Sequence, residues 1–178
     1  RGFRNLAYCG PGNWNWSALR AKSFAETARK SGCSCHFFIP EFFDEPVFYC
    51  RVDSHPQSEW ANARQLQEWI AGLPKPVGIM GCHDQRALHV LEACQDLGLR
   101  VPQEAAILGV DNNLMICESR QPSLTSIDLN GVQIGYEAAA MMDRLLAGEE
   151  LQDKHVIVPA KGFTVRMSTD VLAVDNQR

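Results

Sequence analysis

Short apolar runs alternate with helical patterns along most of this chain, and that alternation leaves few folds open to it. Residues 3–10 ("FRNLAYCG"), 33–39 ("CSCHFFI"), 76–82 ("PVGIMGC"), 104–110 ("EAAILGV") and 123–127 ("SLTSI") read as strands. Helical spacing occupies residues 17–30, 58–71 and 84–97, and Gly131–Leu146 follows the fifth strand. In the first helix Leu19, Phe24 and Ala28 lie near one face, with Gly32 as the stop. Trp60, Leu66, Trp69 and Ile70 are the candidate core residues of the second. Asp84 suits the N-cap of the third, which Gly98 closes. Residues 40–57 carry three prolines and read mostly as loop, and two short strands, 154–158 and 163–167, close the pattern. Strands alternating with helices require a parallel sheet covered on both faces, so the expected fold class is α/β.

Composition narrows the function classes. A chain of 178 residues, 46% of them apolar, suits one domain or two small lobes with a real core. A formal net charge of -4 argues against a large phosphate-binding surface in this segment. No apolar run approaches the roughly 18 residues of a membrane span, and "RGFRNLAYCG" lacks the long apolar region of a signal peptide. Seven cysteines show no scaffold spacing, and Cys9, Cys82 and Cys94 sit in apolar runs where a thiol behaves as a small hydrophobe. That pattern favours a reducing compartment, hence the cytoplasm.

In open parallel sheets, ligands bind beyond the carboxyl ends of the strands. Those ends here fall at residues 10–16, 39–43, 81–84 and 109–113. The fourth, "AAILGVDNN", runs a buried strand into Asp111, Asn112 and Asn113. Asp111 reads in two ways, as the opener of a turn or as a carboxylate presented to a cleft. Arg20, one turn into the first helix, is either a solvated cation or a cleft residue. Trp14 and Trp16 precede it in a loop rich in Gly and Asn, where indoles need packing or a stacking role. His83, at a strand end, either faces that cleft or points to solvent. Cys82, His83 and Asp84 have the residue types of a nucleophilic triad, but neighbouring side chains on an extended segment diverge. The Cys33-x-Cys35 pair has no second pair or histidine set to complete a metal site, and no phosphate-binding glycine motif is present. No catalytic residue, metal or cofactor is expected. A carboxylate, a guanidinium and indole rings suit a polyhydroxyl ligand, with hydroxyls bonded to Asp and Arg and an aromatic face against the sugar ring.

The stretch "DQRALHVLEACQDLGLRVPQEAAILGVDNN", followed by "PSLTSIDLNGVQIGYEAAAMMDRLLAGE", resembles the effector-binding domain of the lactose- and galactose-repressor family. "GVDNNLMICESRQPSLTSIDLNGVQIGYEAA" is most similar to the xylose-operon regulators, in which such a sensor precedes an AraC-type helix-turn-helix domain. The resemblance implies a type I periplasmic-binding-protein-like fold whose two lobes close on a sugar, xylose or a similar monosaccharide. It implies that Asp111, with Asn112 beside it, contacts sugar hydroxyls. Arg20, in an Arg-x-x-x-Phe pattern ending at Phe24, matches the family's sugar-binding arginine, with His83 as a polar contact and Trp16 as a stacking partner.

The same resemblance assigns residues 1–127 and 151–170 to a C-terminal lobe and 128–150 to a segment crossing to an N-terminal lobe. Residues 171–178 become a tail or linker towards a DNA-binding domain; that domain and the N-terminal lobe would both lie outside this chain. The function it implies is effector sensing in a bacterial transcription regulator, without enzymatic activity or a membrane, and with DNA reached only through the other domain. A transport-associated sugar-binding protein of the same fold and a small α/β enzyme are the alternatives. The helix Gly131–Leu146 is apolar around much of its girth, so a homodimer or larger assembly burying Met142 and Leu145 is expected.

Overall fold

The computed structural model describes residues 1–11, 14–39, 56–151 and 155–171, with the backbone alone over 56–62. Its elements are β1 (Asn5–Cys9), α1 (Asn15–Lys30), β2 (Ser34–Phe38), α2 (Pro56–Gly72), β3 (Val77–Gly81) and α3 (Asp84–Asp96). β4 (Ala105–Val110), α4 (Leu114–Cys117), β5 (Thr125–Asp128), α5 (Gly131–Leu146) and β6 (Gly162–Thr164) follow. They build one six-stranded sheet in the order β2-β1-β3-β4-β5-β6. The first five strands are parallel, and β6 runs antiparallel to β5. From β1 the chain moves outward to β2 and then returns to β3 on the other side of β1. That reversal makes the β1–β3 boundary the switch point, where such sheets open a crevice.

Strand periodicity divides the core. Ala7, Cys9, Val77, Ile79, Ala105 and Ile107 alternate onto one face and meet Leu66, Ile70, Val90, Leu91 and Cys94 of α2 and α3. Tyr8 and Met80 turn to the other face, beneath Ala21 and Phe24 of α1. Tyr8 is fully buried, and its hydroxyl donates to the Ser17 carbonyl at 3.0 Å. Burial, the largest influence, pushes that phenol up to about 12. In β4 only Leu108 keeps partial exposure, as a central strand covered on both faces demands.

Several expectations need correction. Leu19 is 56% exposed and takes no part in the core, while Phe24 and Ala28 of the same expected face pack inward, as does Ala21. Residues 155–158 form no strand; 154, with the rest of 152–154, lies outside the described residues. The strand expected at 163–167 is shorter, Gly162–Thr164, and a 3-10 turn at Met167–Thr169 follows it. α4 has no counterpart in the sequence reading, since four residues are too few for a helical period to register. α2 starts at Pro56, where proline's fixed φ suits a first helical turn. The Trp60 side chain and residues 40–55 of the loop expected at 40–57 lie outside the described residues.

α5 has the expected bounds and contrasts with the other long helices. It starts after Asn130, which takes a left-handed φ of 62°, while Asp128 Oδ1 accepts from the Asn130 amide at 2.8 Å. None of its sixteen residues is buried, and Val132, Tyr136, Met142 and Leu146 are all exposed. Among the described residues no helix is long and apolar enough to cross a membrane.

Candidate functional site

The carboxyl ends of β1, β3 and β4 lie side by side, as their register requires. Three connections leave this edge: the one into α1, residues 82–83 into α3, and residues 111–113 into α4. Arg20 spans the first two. Its Nη1 donates to the Cys82 carbonyl at 2.5 Å, and its guanidinium carbon lies 5.0 Å from the centre of the Trp16 ring. Trp16 in turn lies 5.9 Å from the His83 ring at 33°, and 5.8 Å from Trp14 in an edge-on contact. The close approach of these connections needs Gly10, where a Cβ would fall 2.6 Å from Cys82 Cβ and 2.8 Å from Ser17 Oγ. Arg20 is therefore not the solvated helical cation that its position alone permits.

His83 occupies the N-cap of α3, a correction to the expectation that Asp84 does so. Its Nδ1 accepts from the Arg86 amide at 3.1 Å, so the ring proton of the neutral form resides on Nε2. Burial, reinforced by the Arg86 charge, pushes the imidazole down to about 4. At neutral pH His83 is thus an uncharged ring with one N–H to donate.

Asp111 adopts φ 106° and Asn112 φ 53°. Both are costly for residues bearing a Cβ, at about 1–3 kcal/mol for each sparsely populated conformation. The Asp111 residue keeps solvent access, yet surrounding protein displaces part of its hydration and raises its pKa. The Arg20 charge acts in the opposite sense, and Asp84 adds to the rise. That mutual influence accords with Arg20 and Asp111 lying at the same end of the sheet.

Asn112 is committed to the protein itself. Its Oδ1 accepts from Arg166 Nη2 at 2.9 Å, its Nδ2 lies 3.5 Å from Asp128 Oδ2, and its backbone amide donates to Ser126 Oγ at 3.0 Å. Arg166 also donates to the Leu124 carbonyl at 2.9 Å. The structure therefore brings three of the five expected site residues, Trp16, Arg20 and His83, into contact, places Asp111 at the same edge of the sheet, and turns the Asn112 side chain towards Arg166 and Asp128.

Beneath the turn lies a residue whose part the sequence reading missed. Asp84 is 1% exposed, and its Oδ1 accepts from Ser126 Oγ at 2.5 Å while its Oδ2 accepts from the Asn113 amide at 2.7 Å. Gly109 makes the room, for a Cβ there would sit 2.2 Å from Asp84 Oδ1. An Asp before a helical run looks like a cap, and nothing in one sequence tells that its partners stand 29 and 42 positions away. Among the described residues no three His, Cys, Asp or Glu side chains gather as a metal site, and Cys33 and Cys35 are free thiols.

Residues 1–169 match the family model of a periplasmic binding protein-like domain. The chain is 31% identical over 157 residues to a xylose operon regulatory protein of Haemophilus influenzae, covering 88% of this chain and 38% of that protein. It is 33% identical over 125 residues to its namesake in Escherichia coli K12, covering 70% and 32%. The chain thus spans roughly a third of the length of these curated relatives. A solved xylose-binding transcription activator matches with TM-score 0.81 at 25% identity, over 96% of this chain and 43% of that one. A periplasmic binding protein/LacI transcriptional regulator from Alkaliphilus metalliredigens, complexed with D-xylulofuranose, shares the fold with TM-score 0.71 at 24% identity, over 94% and 57%.

Gly109→Ala is expected to cost at least about 2 kcal/mol, because its methyl group drives Asp84 off two buried donors. Urea denaturation measures this, and a loss below about 0.5 kcal/mol would contradict the close fit. For His83, the folded state resists a proton that the unfolded chain accepts, so its contribution to stability falls as pH drops from 6.5 towards 4. The wild type should lose roughly 1–2 kcal/mol more than His83→Asn between pH 7 and pH 5. Parallel urea titrations with equal pH slopes for the two proteins would refute the buried neutral imidazole.

Proposed function

This chain belongs to the periplasmic binding protein-like domain family, and from that premise we propose that it senses a monosaccharide on behalf of a bacterial transcription regulator. The observation that carries the reading is the contact of Trp16, Arg20 and His83 at the carboxyl edge of one sheet, where Asp111 also stands, around its switch point. Asp111 accepts two sugar hydroxyls, Arg20 donates through the N–H groups not spent on Cys82, and the His83 Nε2–H donates to a third oxygen. Trp16 provides an apolar wall beside them. Asn112 serves indirectly, by holding the turn on which Asp111 stands.

Xylose is the first sugar to test, since the relatives in both comparisons carry its name. In this reading residues 1–127 and 151–170 form one wall of the cleft, and 128–150 lead towards a second lobe. Sugar binding favours one arrangement of lobes and so biases a DNA-binding domain elsewhere in the full-length protein. The relatives' names favour this over a transport protein, and the free thiols suit a reducing compartment.

Calorimetric titration of the full-length protein with D-xylose, D-ribose and D-galactose should find one that binds. Hydrogen bonds to charged groups are worth roughly 1.5–3 kcal/mol. Asp111→Asn and Arg20→Ala should therefore each lower affinity about tenfold or more, with circular dichroism unchanged. Unaltered affinity in both variants would sink these assignments.

Self-association of the 178-residue chain is part of the same reading. Several exposed apolar side chains on α5 would each gain roughly 1.5–3 kcal/mol on burial, so two copies are expected to pair through Met142 and Leu145. Light scattering should find a dimer that Leu145→Glu dissociates, and a monomeric wild type would refute the pairing.

A further inference from the structure

We propose that Asp84 and Ser126 form a buried clamp that holds Asp111 in its ligand-binding pose, which makes them positioning residues for the effector. The inference rests on the reading of Asp111 as a sugar ligand. Two successive residues with Cβ atoms hold positive φ here, 106° and 53°, and a loop left to itself would relax out of that conformation. Three consecutive amides oppose the relaxation. The Asp111 N–H donates to the Ile127 carbonyl at 2.9 Å, Asn112 N–H to Ser126 Oγ at 3.0 Å, and Asn113 N–H to Asp84 Oδ2 at 2.7 Å. Two of the three acceptors are side chains, and these are bonded to each other, since Ser126 Oγ donates its hydrogen to Asp84 Oδ1.

Ser126 and Asp84 are 0% and 1% exposed, so bulk water cannot readily substitute for either. Asp84 is anchored in the first turn of α3, next to the His83 cap, so the clamp also fixes where Asp111 stands relative to His83. Asn112 adds a partly buried tie through Arg166 and Asp128. A purely structural pair would stabilise the fold without governing affinity, and that difference is measurable.

The test uses Ser126→Ala and Asp84→Asn in the full-length protein, alone and combined with Asp111→Asn. Amide hydrogen exchange by NMR needs no sugar: Asn112 and Asn113 should exchange at least about tenfold faster in either variant, while β4 amides keep their protection. In calorimetry with D-xylose, each variant, shown folded by its urea transition, should lose about tenfold in affinity. On the Asp111→Asn background the same changes should cost less than about twofold, because a clamp acts only through the carboxylate it positions. Unchanged exchange, unchanged affinity or a fully additive loss would overturn the clamp and leave the site reading intact. Wild-type affinity in Asp111→Asn itself would overturn the site reading and the clamp together. Should Ser126→Ala fail to fold, the isosteric Asp84→Asn carries the test by itself.

Discussion

A carboxyl group buried at the first turn of α3 joins three parts of this molecule that are distant in sequence. Asp84 accepts from β5 through Ser126 and from the β4 exit through Asn113, and it occupies a space that exists only because residue 109 has no side chain. A helix N-terminus favours a negative group, but the dipole alone does not justify burying one. Hydrogen bonds to both oxygens do, because a buried carboxyl without partners costs far more than one fully bonded. The arrangement needs aspartate, serine and glycine at once, each useless to it without the others.

The carboxyl edge of the sheet inherits its geometry from that anchoring and from the strands beneath it. Parallel register aligns the ends of β1, β3 and β4, so three connections emerge close together. Arg20 then ties the first to the second through the Cys82 carbonyl while covering Trp16. His83 contributes an uncharged donor because burial and the Arg86 charge disfavour its protonation. Against these, Asp111 is the carboxylate that keeps solvent access. The polar groups of the edge are thus mostly held by protein partners.

α5 follows different physics. It begins three residues after Asp128, whose carboxyl group receives both the Asn130 amide and the Asn112 side chain. The turn carrying Asp111 and the approach to α5, a helix with no buried residue, are therefore bonded to the two oxygens of one carboxyl group.

Alternation of apolar runs and helical periods was enough to read a parallel α/β sheet and most of its strands. Those features follow from local pattern: a strand covered on both faces must be apolar along its length, and helices between strands force crossovers. Asp111, Arg20, Trp16 and His83 were legible as candidates because each follows a strand end in sequence. Local pattern misjudged Leu19, which stays exposed although Phe24 and Ala28 of the same face pack inward, and it placed the α3 cap one residue late. The roles of Asp84, Ser126, Gly109 and Arg166 arise from partners up to 54 positions apart. No periodicity encodes such distances. Only packing β5 beside β4, and β4 beside β3, brings a serine hydroxyl to a buried carboxyl and gives the strained turn at Asp111 the acceptors that hold it.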